Sequence, residues 1–136
     1  MDVEQVFAGL RDSAGTITGL NVFEYAPDSI TPPSFFPAEV EIDWDLTFAR
    51  GMDAYTVTTR LLVAKADDRA GQKTLKGYLA GSGALSLKAA LQADRTLGGA
   101  CDSLQVKSVR GYGVYEHNGQ HFYGAEFSIY IIGQGS

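Results

Sequence analysis

Residues 38–45 alternate without a break: Ala38, Val40, Ile42 and Trp44 fall on one side, Glu39, Glu41, Asp43 and Asp45 on the other. Side chains of an extended chain point alternately to two faces, so a period of two predicts a half-buried β-strand and argues against a helix. The pattern also places a row of carboxylates on one face, spaced by about 7 Å. After a loop at 46–52, a second strand is expected from about Ala54 to Lys65, with Tyr55, Val57, Thr59, Leu61 and Val63 on a shared face. The two are expected to pair antiparallel through the loop.

The flanking segments read as other elements. Val3, Val6, Phe7 and Leu10 form one helical stripe, with Asp2 as N-cap and Gln5 at capping-box spacing. A strand is expected at Leu20–Tyr25. All four prolines (Pro27, Pro32, Pro33 and Pro37) fall in 26–37, which predicts a connection or edge arm that leaves the sheet. Asp67 or Asp68 caps a helical region carrying Leu75, Tyr78 and Leu79, which Gly81-Ser82-Gly83 stops. Ser86 caps a further helix from Leu87 to about Asp94. Strands near Ser103–Glu116 and His121–Ile132 flank Asn118-Gly119, a strong hairpin signal because a type I′ turn needs positive φ at both central residues. Gly111 and Gly113 mark a bulge there. The order is α-β-β-β-α-α-β-β. It predicts an α+β class: a mostly antiparallel sheet of about five strands, helices on one face, in a single domain over residues 1–136.

Composition bounds the function classes. With 45% hydrophobic and 20% charged residues, the chain carries no disorder signature. No apolar run approaches a membrane span, and the acidic N-terminus lacks the features of a signal peptide. The lone Cys101 allows no internal disulfide, fits a reducing cytoplasm, and reads as a small buried apolar residue. The net charge of −5 is divided unevenly: residues 1–47 carry nine carboxylates and one base, residues 48–136 ten bases and seven acids. An acidic first third repels phosphates, and the two halves suit head-to-tail contact between copies.

Catalytic constellations are not apparent. His117 and His121 flank the hairpin turn and read as exposed turn residues, with too few companions for a metal. A flat row of carboxylates has no apolar pocket to separate two pKa values for acid–base work. Gly111-Tyr112-Gly113 opens no helix and is not a phosphate loop. No Gly-x-Ser-x-Gly or Walker-type motif occurs. The expectation is a non-enzymatic protein with no cofactor and no metal.

An ordered set of segments carries a resemblance. It comprises Phe23-Glu24-Tyr25-Ala26-Pro27-Asp28, Pro32-Pro33, Phe48-Ala49-Arg50-Gly51-Met52-Asp53 and Leu62-Val63-Ala64-Lys65-Ala66-Asp67-Asp68-Arg69-Ala70. Tyr78-Leu79-Ala80-Gly81-Ser82-Gly83, Ala93-Asp94-Arg95-Thr96-Leu97-Gly98-Gly99 and Gly111-Tyr112-Gly113-Val114-Tyr115 follow. In this order and spacing the chain resembles the tail terminator (tail completion) proteins of long-tailed actinobacterial phages. The resemblance implies a homo-oligomeric ring, usually a hexamer, at the head-proximal end of the tail tube. Such a ring stops tube polymerisation and offers a docking surface to the head connector protein. DNA passes through its lumen without sequence-specific binding. The implied location is the virion, after assembly in the host cytoplasm, with no membrane partner.

On this reading Glu39, Glu41, Asp43 and Asp45 line the lumen or face the basic side of a neighbouring copy. Phe48, Arg50 and Asp53, with the proline arm, serve as contact elements. A solvated sheet face is the competing account of the acids. Two other functions remain open: another head–tail joining or minor tail protein, or a small ligand-binding domain using Tyr112, Tyr115, Phe122, Tyr123, Phe127 and Tyr130.

Overall fold

The computed structural model describes residues 1–44, 51–65 and 69–134. Helix α1 spans Val3–Ala14; the Asp2 carboxylate accepts from the Glu4 amide at 3.0 Å, which satisfies one of the free donors of the first turn. Val6, Leu10 and Ala14 form its buried stripe. Strand β1 is only Asn21–Val22, shorter than the expected 20–25, because the chain turns away after pairing with the start of the next strand. Strands β2 (Ser34–Asp43) and β3 (Met52–Lys65), helices α2 (Arg69–Leu79) and α3 (Leu87–Gln92), and strands β4 (Ser103–His117) and β5 (Gln120–Gln134) complete the order. The Ser86 hydroxyl accepts from the Ala89 amide at 3.1 Å and caps α3, as its position predicts. The proposed Asp67 or Asp68 cap of α2 lies outside the described residues.

The five strands form one mixed sheet in the order β1-β2-β3-β5-β4; only β1–β2 is parallel. The fold is therefore α+β, with the expected element order. Helices cover one face. Val6 and Leu10 of α1, Leu75 and Tyr78 of α2, and Leu87 and Leu91 of α3 join Phe35, Val57, Leu61, Phe127 and Ile129 of the sheet in one cluster. Thr59 shares that face, and its hydroxyl donates to the Phe127 carbonyl at 3.4 Å. The β4–β5 turn has φ 51° at Asn118 and 81° at Gly119, the left-handed pair a type I′ turn demands. A register shift between Arg110 and Gly113, with Gly111 at φ 68°, is the expected bulge.

Two expectations need correcting. The proline-containing segment does not simply leave the sheet. Ser34–Pro37 opens β2 and is fully buried, and Pro37 sits beside a bulge on the outer side of the sheet, where a strand tolerates proline. The preceding stretch folds back over one end of the face opposite the helices. There Phe23 and Ile30 pack on a second cluster of Phe36, Leu62 and Phe122. His117 is correspondingly not a free turn residue: its Nε2 lies 2.7 Å from the Pro27 carbonyl, and Asn118 donates to the Asp28 carbonyl. These contacts tie the arm to the hairpin tip.

Candidate functional site

The register fixes which side chains share the helix-free face. Tyr55, Val57 and Leu61 of β3 point into the helix-covered core, so Thr56, Thr58 and Arg60 point the other way. Thr58 pairs with Glu39 on β2 and Ser128 on β5, which in turn pairs with Ser108 on β4. The next row joins Glu41, Thr56, Tyr130 and Gln105. The row on the other side joins Phe36, Arg60, Glu126 and Arg110. These rows make a floor of hydroxyls between an acidic strand and a basic one.

That face is hollow. A cleft of about 290 Å³ is bordered by Glu39 and Glu41 at one side and Arg110 at the other, with Thr56, Thr58 and Ser128 between. Strands three positions apart in a flat sheet would not share a cleft, so the sheet curls around its open face, as twisted sheets do. Thr58 is only 8% exposed although no helix covers it.

Arg60 marks where the hollow meets the arm-covered end. It pairs with Glu126 at 2.9 Å and lies over the Tyr115 ring, 5.0 Å from its centroid. The Tyr115 hydroxyl donates to the Gly111 carbonyl at 2.6 Å and so braces the bulge. Burial, then the nearby Glu126 carboxylate, push the Tyr115 phenol up. On the outer strand, Lys107 lies 5.1 Å over the Tyr130 ring, on the open face.

Among the described residues, both ends of the sheet are open. Strand β1 pairs only with Ser34 and Phe35, so among the described residues no strand lies along β2 from Ala38 to Asp43. Strand β4 likewise has β5 on one side and no described strand on the other. Each edge carries exposed apolar groups: Val40 (36%) on the helix side of β2, Trp44 (68%) just beyond that strand, and Val109 (38%) and Val114 (53%) on the helix side of β4.

The sequence-derived site is thus only partly assembled. Glu39, Glu41 and Asp43 do share the open face of one exposed strand, each in register with a residue facing away from the helices. The half-burial expected of their strand is absent: Ala38 and Val40 are exposed, and only Ile42 packs partly against the core. The helices stop short of this end of the sheet, so correct alternation does not bring burial. Asp53, expected in a contact loop, is the second residue of β3 and 2% exposed. Asp45, Phe48 and Arg50 lie outside the described residues. The alternation of 38–45 gave no sign of Lys107, Ser108 and Arg110, which reach the site only through the strand order. The surplus of bases after residue 47 was their only trace in the sequence.

Chemically the surface offers charge and hydrogen bonds. No group of three or more His, Cys, Asp or Glu among the described residues is arranged to hold a metal ion. Glu116 and His121 approach to 3.8 Å across the hairpin, an exposed pair. Cys101 is buried, and burial, with Asp102 and Asp94 nearby, pushes its thiol up to about 11; it is a poor nucleophile at neutral pH. The aromatics of the last hairpin divide between faces. Phe127 enters the helix-side core and Phe122 the opposite cluster, so the six do not all share one face. No helix among the described residues is long and apolar enough to cross a membrane. No family model matches the chain, and no curated protein matches it.

Proposed function

We infer that this chain is a non-enzymatic assembly protein whose copies close into a ring. Within that class we assign it the role of a phage tail terminator, capping the head-proximal end of the tail tube and joining it to the head connector. The ordered sequence segments that resemble tail terminators support the assignment. The observation that carries assembly is an open five-stranded sheet with an acidic free edge at one end and a basic one at the other. Opposed unlike edges suit a heterologous contact, which generates a ring when its rotation closes.

The test combines the protein with tail-tube protein and follows solution mass and tube length by electron microscopy. Six copies of the 14.6 kDa chain give about 88 kDa. The expected result is a multiple-copy species, alone or on tubes, that sits at one tube end and halts elongation. Tubes that grow to unrestricted length with no protein at their tips would overturn the terminator role. Binding to the connector without any effect on tube growth would favour another head–tail joining component.

A further inference from the structure

We propose that neighbouring copies join edge to edge, with the outer side of β2 from Ala38 to Asp43 lying antiparallel along the outer side of β4 from Lys107 to Val114 of the next copy. The proposal rests on the self-assembly inferred above and names its contact.

Three features of the sheet support this pairing. The first is direction. Strand β3 runs antiparallel to β2, β5 antiparallel to β3, and β4 antiparallel to β5, so β4 runs opposite to β2. Copies related by rotation about a ring axis keep their strand directions relative to that axis, so the next copy's β4 meets β2 antiparallel. The alternation of directions then continues across the junction.

The second is a match on both faces. On the open face, Glu39, Glu41 and Asp43 of β2 would stand beside Lys107, Ser108 and Arg110 of β4. On the helix side, a register with Ile42 opposite Val109 sets Val114 opposite Ala38 and leaves Val40 between the two valines of β4, diagonal to each. Val40 pairs in register with core-facing Val57, and Val109 with core-facing Phe127, which puts them on that side. Cross-strand pairs of unlike charge and of β-branched residues each stabilise a sheet by a few tenths to about 1 kcal/mol. Carboxylates beside bases on one face and β-branched side chains beside one another on the other are therefore brought together by one docking, in one orientation.

The third is exclusion of the alternatives. Pairing β2 with another β2 would set carboxylates beside carboxylates, and pairing β4 with β4 would set bases beside bases. Like charges directly opposite are destabilising. Charges, a proline and bulges on an edge also deter indiscriminate pairing. That function alone does not account for Val40, Trp44, Val109, Tyr112 and Val114 at these edges, each more than a third exposed. The free part of β2 is about 20 Å long, enough for a specific strand contact.

The experiment uses two charge reversals, Glu39→Lys with Glu41→Lys, and Lys107→Glu with Arg110→Glu, with mass measured by light scattering. The wild type is expected to form a multiple-copy species, and each variant to fall to the 14.6 kDa monomer. An equimolar mixture is expected to regain the multiple-copy mass, because the basic β2 of one variant suits the acidic β4 of the other, and their two unaltered edges still suit each other. A mixture that stops at dimers indicates like-edge pairing and overturns the proposal. Variants that keep the wild-type mass overturn it too, as does a wild type that stays monomeric at millimolar concentration. Circular dichroism checks that the variants fold. If either does not, carbodiimide coupling of mixed isotope-labelled and unlabelled wild-type chains decides: a link between copies from Lys107 to the Glu39–Asp43 peptide supports the contact, and its absence refutes it. A ring that ignores both reversals yet halts tubes sinks the contact alone. A ring that obeys them and leaves tube growth unchanged sinks only the terminator role.

Discussion

The two halves of β2 are one continuous strand in opposite circumstances. Ser34–Pro37 is completely buried, with Phe35 under the helices and Phe36 under the folded-back arm. From Ala38 onward the same strand, with a cleaner alternation, is exposed on both faces except at Ile42. The bulge between Pro37 and Glu39 separates them. Nothing about backbone conformation distinguishes the halves; what differs is whether another layer lies against each face. A strand with an open outer edge, an acidic face and exposed valine and tryptophan side chains is an incomplete piece of sheet, and in the proposed arrangement a second copy supplies its missing neighbouring strand.

Substitutions can break or sharpen that contrast. The largest effect is expected for Phe35→Ala in the covered half, about 3–5 kcal/mol of lost stability from removing a fully buried aromatic side chain. The matching truncation in the bare half, Val40→Ala, should change monomer stability by under about 0.5 kcal/mol in urea unfolding. Equal losses would mean that the two halves are covered alike. A second pair lies in register across the β4–β5 ladder. A Cβ at Gly124 would run into the Leu61 carbonyl and the Leu62 side chain, whereas one at Gly113 meets only the Gly111 carbonyl at 3.8 Å. Gly124→Ala should destabilise by roughly 1–3 kcal/mol or more, and Gly113→Ala by much less, in thermal unfolding.

At the boundary between covered and bare regions, Glu126→Gln removes the partner of Arg60. Because both side chains are partly exposed, a loss of about 1 kcal/mol is expected, and a cycle with Arg60→Gln isolates the pair. Cys101 reports on the covered side. Its thiol is held up to about 11 from an ordinary 9.0, so the unfolded chain gives up a proton that the folded one retains as pH rises between these values. Stability should therefore be intact below about pH 9 and decline above it; Cys101→Ala should lessen that decline in pH-dependent melts. The smallest effect on the monomer belongs to the combined change of Glu39 and Glu41 to Gln with Asp43 to Asn. Melting should move by less than about 0.5 kcal/mol, while the multiple-copy species weakens in sedimentation.

Local patterns made much of the fold legible. Periodicity placed α1, β2 and β3, hydroxyl and carboxylate caps placed the starts of α1 and α3, and Asn118-Gly119 placed the hairpin, because each depends on chemistry within a few residues. The proline-containing arm was harder. Whether Phe23, Ile30 and Phe36 are solvent-facing or buried depends on a hairpin tip some ninety residues away, where His117 holds the Pro27 carbonyl. The acidic row was legible, and its basic counterpart was not, since Lys107 and Arg110 become neighbours of that surface only when β5 inserts between β3 and β4.

By itself the sequence determined the element types, the face on which each side chain of 38–43 stands, and the turn that closes the last hairpin. These follow from backbone geometry and steric preference, which act over short range. Only the tertiary structure decided burial, strand order and which edges stay open. Those depend on where the helices end along the sheet and on which distant strands pair, and neither leaves a local mark in the chain.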